Sequence, residues 1–464
     1  MKTFTYKIPV LLLLAALGTS SCKITKTYQQ PIKTVPAAYR SSETTDTLNM
    51  ASMKWSSIFT DPILHELIKE GLAANLDLKI AVERINQSKA LFRKSKAAYL
   101  PDLNANAGIK QSKLSYPQGF GIFSSNTQYD FGISSNWELD IWGKLGSAKR
   151  SAMAELLASD AAKRAVQTQL IADIANHYYD LVILDEQLLL TRKTALNRSQ
   201  DAATIKLLFE NSILNGVAVV QSEANYYEAE LSVPDLEQQI REKENALAVL
   251  LARKPGPIQR NALAQQQLVY DLKPGIPAQL LAHRPDVQQA EYSFRAAFEN
   301  SNLARTQFYP GLNITAMGGF SSFSLKDWLS KGSLFGNVAG GLMQPILNKG
   351  QNKAGLAIAL SKQQQALHTF ELYLLKASQE VSDALSAYQA AAQKEEKRGK
   401  QLKALTLAVE FNKELLNNSK NTNYTDVLAA EQNLLTAELK GINDQSQKLH
   451  AVVNLYRALG GGWN

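Results

Sequence analysis

Hydrophobic positions along this chain follow two rhythms. From Gly143 to Gly256, and again from Lys349 to Gly460, they recur in alternating steps of three and four. The first stretch carries Ile171, Ile174, Tyr178, Leu181, Leu184 and Leu188; the second carries Leu367, Phe370, Leu374, Ala377, Val381, Ala384, Tyr388 and Ala391. Such a seam predicts long helices packed in coiled-coil fashion. Residues 144–212 contain no Pro and only Gly146 as an interruption. At about 1.5 Å per residue a helix of that length spans about 100 Å, roughly three times the thickness of a hydrocarbon core. Folding back is expected near Asn211–Gly216 and Asn421–Tyr424, and Pro234 should bend the first returning helix.

The second rhythm is a strict alternation. Leu103, Ala105, Ala107 and Ile109 alternate with Asn104, Asn106, Gly108 and Lys110, and Tyr129, Phe131, Ile133 and Trp137 alternate with polar or small residues. The pattern predicts β-hairpins over 103–139 and 312–345, each with one apolar and one polar face. About a dozen tilted strand residues cross a hydrocarbon core, and Tyr129, Trp137 and Trp142 stand where outer-membrane barrels carry interfacial aromatics. An ordinary helix bundle or a β-sandwich hairpin would account for either pattern taken separately. Polar helices joined to amphipathic strands predict a tube standing on a membrane.

These elements occur twice. Tyr99–Asn104 aligns with Phe308–Asn313 at an offset of 209, and Asp77 falls on Asp286 and Ala81 on Ala290 at the same offset. Each half reads as short helix, strand, strand, long helix, turn, returning helix. The expected division is a first repeat over 61–260 with its helical hairpin at 143–256, a linker or equatorial belt over 261–282, and a second repeat over 283–464 with its hairpin at 349–460. Four strands cannot close a barrel, and an open edge is not tolerated in lipid, so other copies of the chain must complete it. Eight strands would fill with side chains, so an open pore favours at least three copies.

The N-terminus adds an address. Lys2 and Lys7 precede the apolar run Val10–Leu17, then small residues lead to Cys22, the only cysteine of the 464 residues. This is a signal peptide over 1–21, too short in its core to span a bilayer, with Cys22 at the cleavage point. It resembles a bacterial lipoprotein signal in which Cys22 becomes the acylated first residue, although Thr19 stands where Leu is usual. Residues 22–60 read as a polar tether.

Composition excludes more than it suggests. The net charge of +8 falls to +6 once Lys2 and Lys7 leave, without a basic run of the kind that binds nucleic acid. His65, His177, His283, His368 and His450 share no ligand spacing, and no phosphate loop, dinucleotide fingerprint or nucleophile elbow occurs. The reading is therefore not an enzyme, with no cofactor and no metal.

Four motifs carry a family resemblance: Trp137–Lys144 (WELDIWGK), Arg284-Pro285-Asp286 with Ala290 and Glu291, Gln344-Pro345-Ile346, and Tyr456–Trp463 (YRALGGGW). Together they resemble the TolC-like outer-membrane efflux proteins, lipoprotein branch, over nearly the whole chain from Cys22. The resemblance implies a mainly α, mixed α and β fold: coiled-coil helices forming a periplasmic α-barrel, and four transmembrane strands per chain in a homotrimeric twelve-stranded β-barrel. It also implies passive conduction of small molecules such as drugs, with a periplasmic adaptor and an inner-membrane resistance-nodulation-division pump as partners. The helical turns of related channels form the periplasmic aperture, which places Thr422, Asn423 and Asp426 there. The family pattern Asp-Val-Leu-Asp stands here as Asp426-Val427-Leu428-Ala429, keeping one acid of two. A secretion conduit of the same fold and a structural coiled-coil lipoprotein remain as alternatives. Replacing Cys22 with Ser is expected to abolish incorporation of labelled fatty acid; continued labelling would refute lipidation there.

Overall fold

The computed structural model describes residues 24–31, 53–113, 115, 125–266, 283–418 and 424–463. The signal peptide, Cys22, most of the tether, linker residues 267–282, and Thr422 and Asn423 lie outside them. In chain order the elements are α1 (Trp55–Ile58), α2 (Pro62–Ala74), α3 (Leu76–Ala97), β1 (Asn104–Lys113), β2 (Ser125–Leu139), α4 (Lys144–Glu210) and α5 (Gly216–Leu250), then α6 (Pro285–Thr306), β3 (Gly311–Ser322), β4 (Leu334–Met343), α7 (Gln351–Asn418) and α8 (Tyr424–Ala458). Among the described residues no helix is long and apolar enough to cross a membrane.

The duplication holds to the residue in places. The 22 residues of α3 start at 76 and those of α6 at 285, a shift of 209. The 35 residues of α5 start at 216 and those of α8 at 424, a shift of 208. The long helices have 67 and 68 residues. Pro234 lies inside α5, whose assignment continues through it.

The chain forms two compact units. One, the strand unit, comprises residues 1–32, 86–158 and 290–369. Its sheet is antiparallel throughout in the order β1-β2-β3-β4. Register sorts side chains by face, as the period of two demands. Ala107, Phe131, Phe320 and Leu334 form one cross-strand row, and Trp137 pairs with Ile314 on the same face. The opposite face aligns Gly108, Asp130 and Ser321; there Asp130 accepts hydrogen bonds from Gln128 Nε2 (2.9 Å) and Ser321 Oγ (2.6 Å). Gly319 is obligatory, because a Cβ there would lie 2.1 Å from the Phe131 carbonyl oxygen.

The lower end of the sheet is tied to the helices that follow it. Asp140 caps α4 by accepting from the Leu145 and Gly146 amides at 2.9 and 2.7 Å. Gly143 makes the turn with φ +75°. The Trp137 indole donates to the Tyr99 carbonyl (2.9 Å) and Trp142 to the Pro310 carbonyl (2.7 Å), so both rings are fixed at the strand bases. Tyr129 lies higher on β2, against Trp328. The described part of the tether docks here too: Lys26 exchanges two backbone hydrogen bonds with the Asn302 side chain (3.0 and 2.9 Å), and Tyr28 packs on Phe294 and Phe298.

The helical unit comprises residues 33–85, 159–289 and 370–464. Its core is drawn from the seam: Ile171, Ile174, Tyr178 and Leu181 of α4 and Phe370, Ala377, Val381 and Ala391 of α7 are buried. Leu188, Leu374 and Tyr388 are half-buried, since their stripe runs off the surface that this chain's own helices cover. Gly71 of α2 sits so close to Ile174 that a Cβ would meet its Cδ1 at 2.3 Å.

Asp61 ties three parts of this unit together. Its carboxylate caps α2 through the Ile63 amide (2.8 Å), with Pro62 at the first helical position. It also accepts from the Tyr178 hydroxyl (2.6 Å), Asn261 Nδ2 (3.0 Å) and Gln266 Nε2 (2.8 Å). Burial pushes the Asp61 pKa up, but the donors from Tyr178, Gln266 and the helix amides outweigh it and hold the carboxyl below its ordinary value. A depressed pKa contributes stability above the unfolded value and loses it as pH falls through the folded one. Asp61→Ala is expected to cost about 2–4 kcal/mol at neutral pH, from a lost cap and orphaned donors. Hydrogen exchange of α2 should show that cost shrinking below the carboxylate range; a cost independent of pH would contradict this account.

Candidate functional site

Among the described residues, buried polar contacts gather at the ends of the helices. Arg284 lies at the start of α6 and is buried. Its guanidinium donates to Asp286 Oδ1 (2.9 Å), to Glu380 Oε2 of α7 (2.7 Å) and to the Ala458 carbonyl at the end of α8 (3.0 Å). Burial disfavours the charge, yet Asp286 and Glu380 hold Arg284 above the ordinary arginine pKa. The Arg-Pro-Asp motif is thus a latch: Arg284 grips a helix C-terminus, Pro285 opens α6 where no amide is needed, and Asp286 orients the guanidinium.

The C-terminal run YRALGGGW completes the latch. Gly460 has φ +88°, and a Cβ on it would lie 2.3 Å from the His283 carbonyl oxygen. The Trp463 indole donates to that same oxygen (3.0 Å), and Arg164 lies 4.7 Å from the centroid of its ring. The glycines let the backbone approach.

Sequence reasoning missed the matching residue in the first repeat. Asn75, buried between α2 and α3, donates through Nδ2 to the Leu250 carbonyl at the end of α5 (2.9 Å). Position 75 falls on 284 at the offset of 209, and 250 falls on 458 at 208. Asn75 and Arg284 therefore do the same job, and the repeat offset was the signal that could have found it.

At the opposite end of the unit, α4 turns into α5 through residues 211–215. Ser212 adopts φ +60°, and Asn215 Oδ1 caps α5 through the Ala218 amide (3.1 Å). Ile205, Ala218, Tyr424 and Val427 form a small buried cluster with Leu214, Val219, Leu416 and Leu428 against it. The first turns of both returning helices are thereby packed together. Asp426 is exposed in the first turn of α8. Of the three expected aperture residues only Asp426 is described.

Charged side chains staple the helices above this tip. Arg198 of α4 donates to the Asn225 carbonyl of α5 (2.7 Å) and hydrogen-bonds Gln432 of α8. Lys413 of α7 pairs with Glu431 of α8 at 2.6 Å. Burial, then the nearby Glu431, raises the Asp201 pKa above its ordinary value. Further up α4, Asp180 receives Lys243 of α5 (2.6 Å) and His450 of α8 (2.9 Å). Burial raises that carboxyl, and those two partners bring it below the usual range.

Long polar helices with latched ends and a packed tip, and an amphipathic four-stranded sheet, are the parts expected of an outer-membrane channel protein. A model of the family described as outer membrane efflux protein matches residues 67–253 and 276–461. The chain is 30% identical over 475 residues to a solvent efflux pump outer membrane protein, SrpC, of Pseudomonas putida, covering 99% of both chains. It is 29% identical over 441 residues to a probable outer membrane lipoprotein, SilC, of Salmonella typhimurium, covering 94% of both. A crystal structure of a membrane protein from Pseudomonas aeruginosa superposes with a TM-score of 0.88 at 27% identity, over 95% of this chain and 100% of that one. The chain belongs to the outer membrane efflux protein family. Its fold is the family's: helices building a periplasmic α-barrel, and four strands contributed to a trimeric twelve-stranded β-barrel. It is the outer-membrane channel component of an efflux system.

Replacing Arg284 with Met should leave the Ala458 carbonyl without this donor and take one cation from Asp286 and Glu380, at a cost of about 2–3 kcal/mol. The expected readout is faster proteolysis after the C-terminal end of α8, with Asn75→Ala loosening α5 instead. Unchanged cleavage in both variants would remove the latch interpretation.

Proposed function

We propose that the chain conducts small molecules passively through a wet lumen and closes at its periplasmic tips, where Asp426 of each protomer lines the narrowest part. Its partners are a periplasmic adaptor and an inner-membrane resistance-nodulation-division pump, which supplies the energy. The channel works without catalysis. Cys22 carries the lipid, residues 22–60 tether it, and residues 261–282 run as a belt between the repeats.

The observation that carries this reading is the tip. Tyr424 and Val427 are buried against the α4–α5 hairpin while Asp426, between them, is exposed. Helical periodicity turns the carboxylate away from the packed side, which supports a place for it on the pore side. A ring of three carboxylates favours cations at close quarters. Thr422 and Asn423, in the adjoining turn, would share that ring's rim. Opening requires the paired tips to swing, and the Arg198 and Lys413 staples are what such a swing must strain.

In planar bilayers Asp426→Asn is expected to lower the cation-to-anion permeability ratio with little change in stability. Equal selectivity in both proteins would remove the carboxylate ring from the aperture.

A further inference from the structure

The β3–β4 connection is more ordered and more apolar than a mouth loop in water needs to be. Leu325 and Leu329 are exposed at 61% and 67%, and Phe323 and Leu334 flank them, also exposed. The backbone is folded on itself: Asp327 N–H donates to the Ser324 carbonyl (3.3 Å), Ser330 N–H to Asp327 (3.1 Å), and Ser333 N–H to Ser330 (3.2 Å). Ser333 is buried, and its single hydroxyl proton is shared between the Trp328 and Ser330 carbonyls (2.5 and 2.8 Å).

One contact tells which way this loop leans. The Trp328 ring packs on Tyr129, with centroids 6.0 Å apart. Register puts Tyr129 on the face of Phe131, Ile133 and Trp137, opposite the face of Asp130 and Ser321. The loop therefore folds over the apolar side of the sheet, away from the polar lumen. Lys326 and Lys331 are exposed on either side of Trp328, with Asp327 between them.

We propose that residues 323–334 form an interfacial anchor lying in the outer leaflet. Leu325, Trp328 and Leu329 enter the lipid, and Lys326 and Lys331 meet lipid phosphates. The inference rests on the assignment of the sheet's apolar face to lipid, and it extends that interface beyond the strand ends. Four features favour a lipid surface over a protein partner: continuity with the apolar face, an aromatic ring at the boundary, a self-bonded backbone, and cations beside exposed leucines.

The test is site-specific fluorescence in the reconstituted trimer. Leu329→Cys, Val338→Cys and Asn337→Cys are each labelled with an environment-sensitive dye, with the unlabelled background set by the parent protein. The vesicles are phosphatidylethanolamine and phosphatidylglycerol. Val338 lies on the apolar face of β4 and Asn337 on the other. The label at 329 should be quenched by a doxyl-bearing lipid as strongly as the label at 338, and at least about twofold more than the label at 337, with aqueous iodide giving the reverse order. Adding Trp328→Ala should shift the label at 329 toward iodide. Lipid quenching at 338 with iodide quenching at 329 would overturn the anchor and leave the barrel standing. Loss of lipid quenching at 338 would overturn the face assignment itself.

Discussion

A peptide group left unpaired in hydrocarbon costs several kcal/mol, and this protein is arranged around that penalty. Among the described residues, one chain offers four paired strands and two edges, β1 and β4, without a partner strand. Water could solvate those edges; lipid cannot. Closure with other copies follows from this, because edge must meet edge until the sheet closes, and the family's trimer meets that demand. The exposed apolar face of the same sheet, including Ile109, Val338 and Leu342, is excessive for a chain in water and ordinary for one in a bilayer.

The helices escape that constraint, because each satisfies its own backbone, and so they can be long and polar. Their cost lies at the ends, where carbonyls and amides run out of partners. Side chains collect there accordingly. Asp61 caps α2, Asp140 caps α4, Asn215 caps α5, and Asn75 and Arg284 take the last carbonyls of the returning helices. Much of the family's recognisable sequence is therefore helix-end chemistry. Arg284, Asp286 and the C-terminal glycines hold the fold together at a latch.

Periodicity made the fold legible because each rhythm reports a surface directly. Alternation over β1 to β4 and the three-four seam of α4 and α7 follow from burial on one face, and they appear in the structure as faces. Helix ends were legible where a residue type has one dominant use, as with Asp61 before Pro62. Asn75 was not, because an Asn between two helices serves many geometries, and only its distant partner Leu250 selects one. The hub at Asp180 was invisible for a similar reason: Lys243 and His450 reach it from 63 and 270 residues away, and no local pattern marks such meetings. Asp426 was singled out by resemblance alone, and its neighbours Tyr424 and Val427 acquire meaning only once their burial is known.

The two latches differ in kind. Asn75 is neutral, whereas Arg284 works as one member of a cluster with Asp286 and Glu380. A neutral amide hydrogen bond is nearly indifferent to ionic strength, while the Asp286 and Glu380 carboxylates, partly exposed around the buried guanidinium, are screened to some degree as salt rises. Duplication gave the chain two hairpins of like geometry; divergence at this position gave them different responses to their surroundings. The carbonyl at the end of α5 is held by a neutral side chain, and the one at the end of α8 by a charge that needs two carboxylates beside it. Two helix ends alike in geometry are unlike in chemistry.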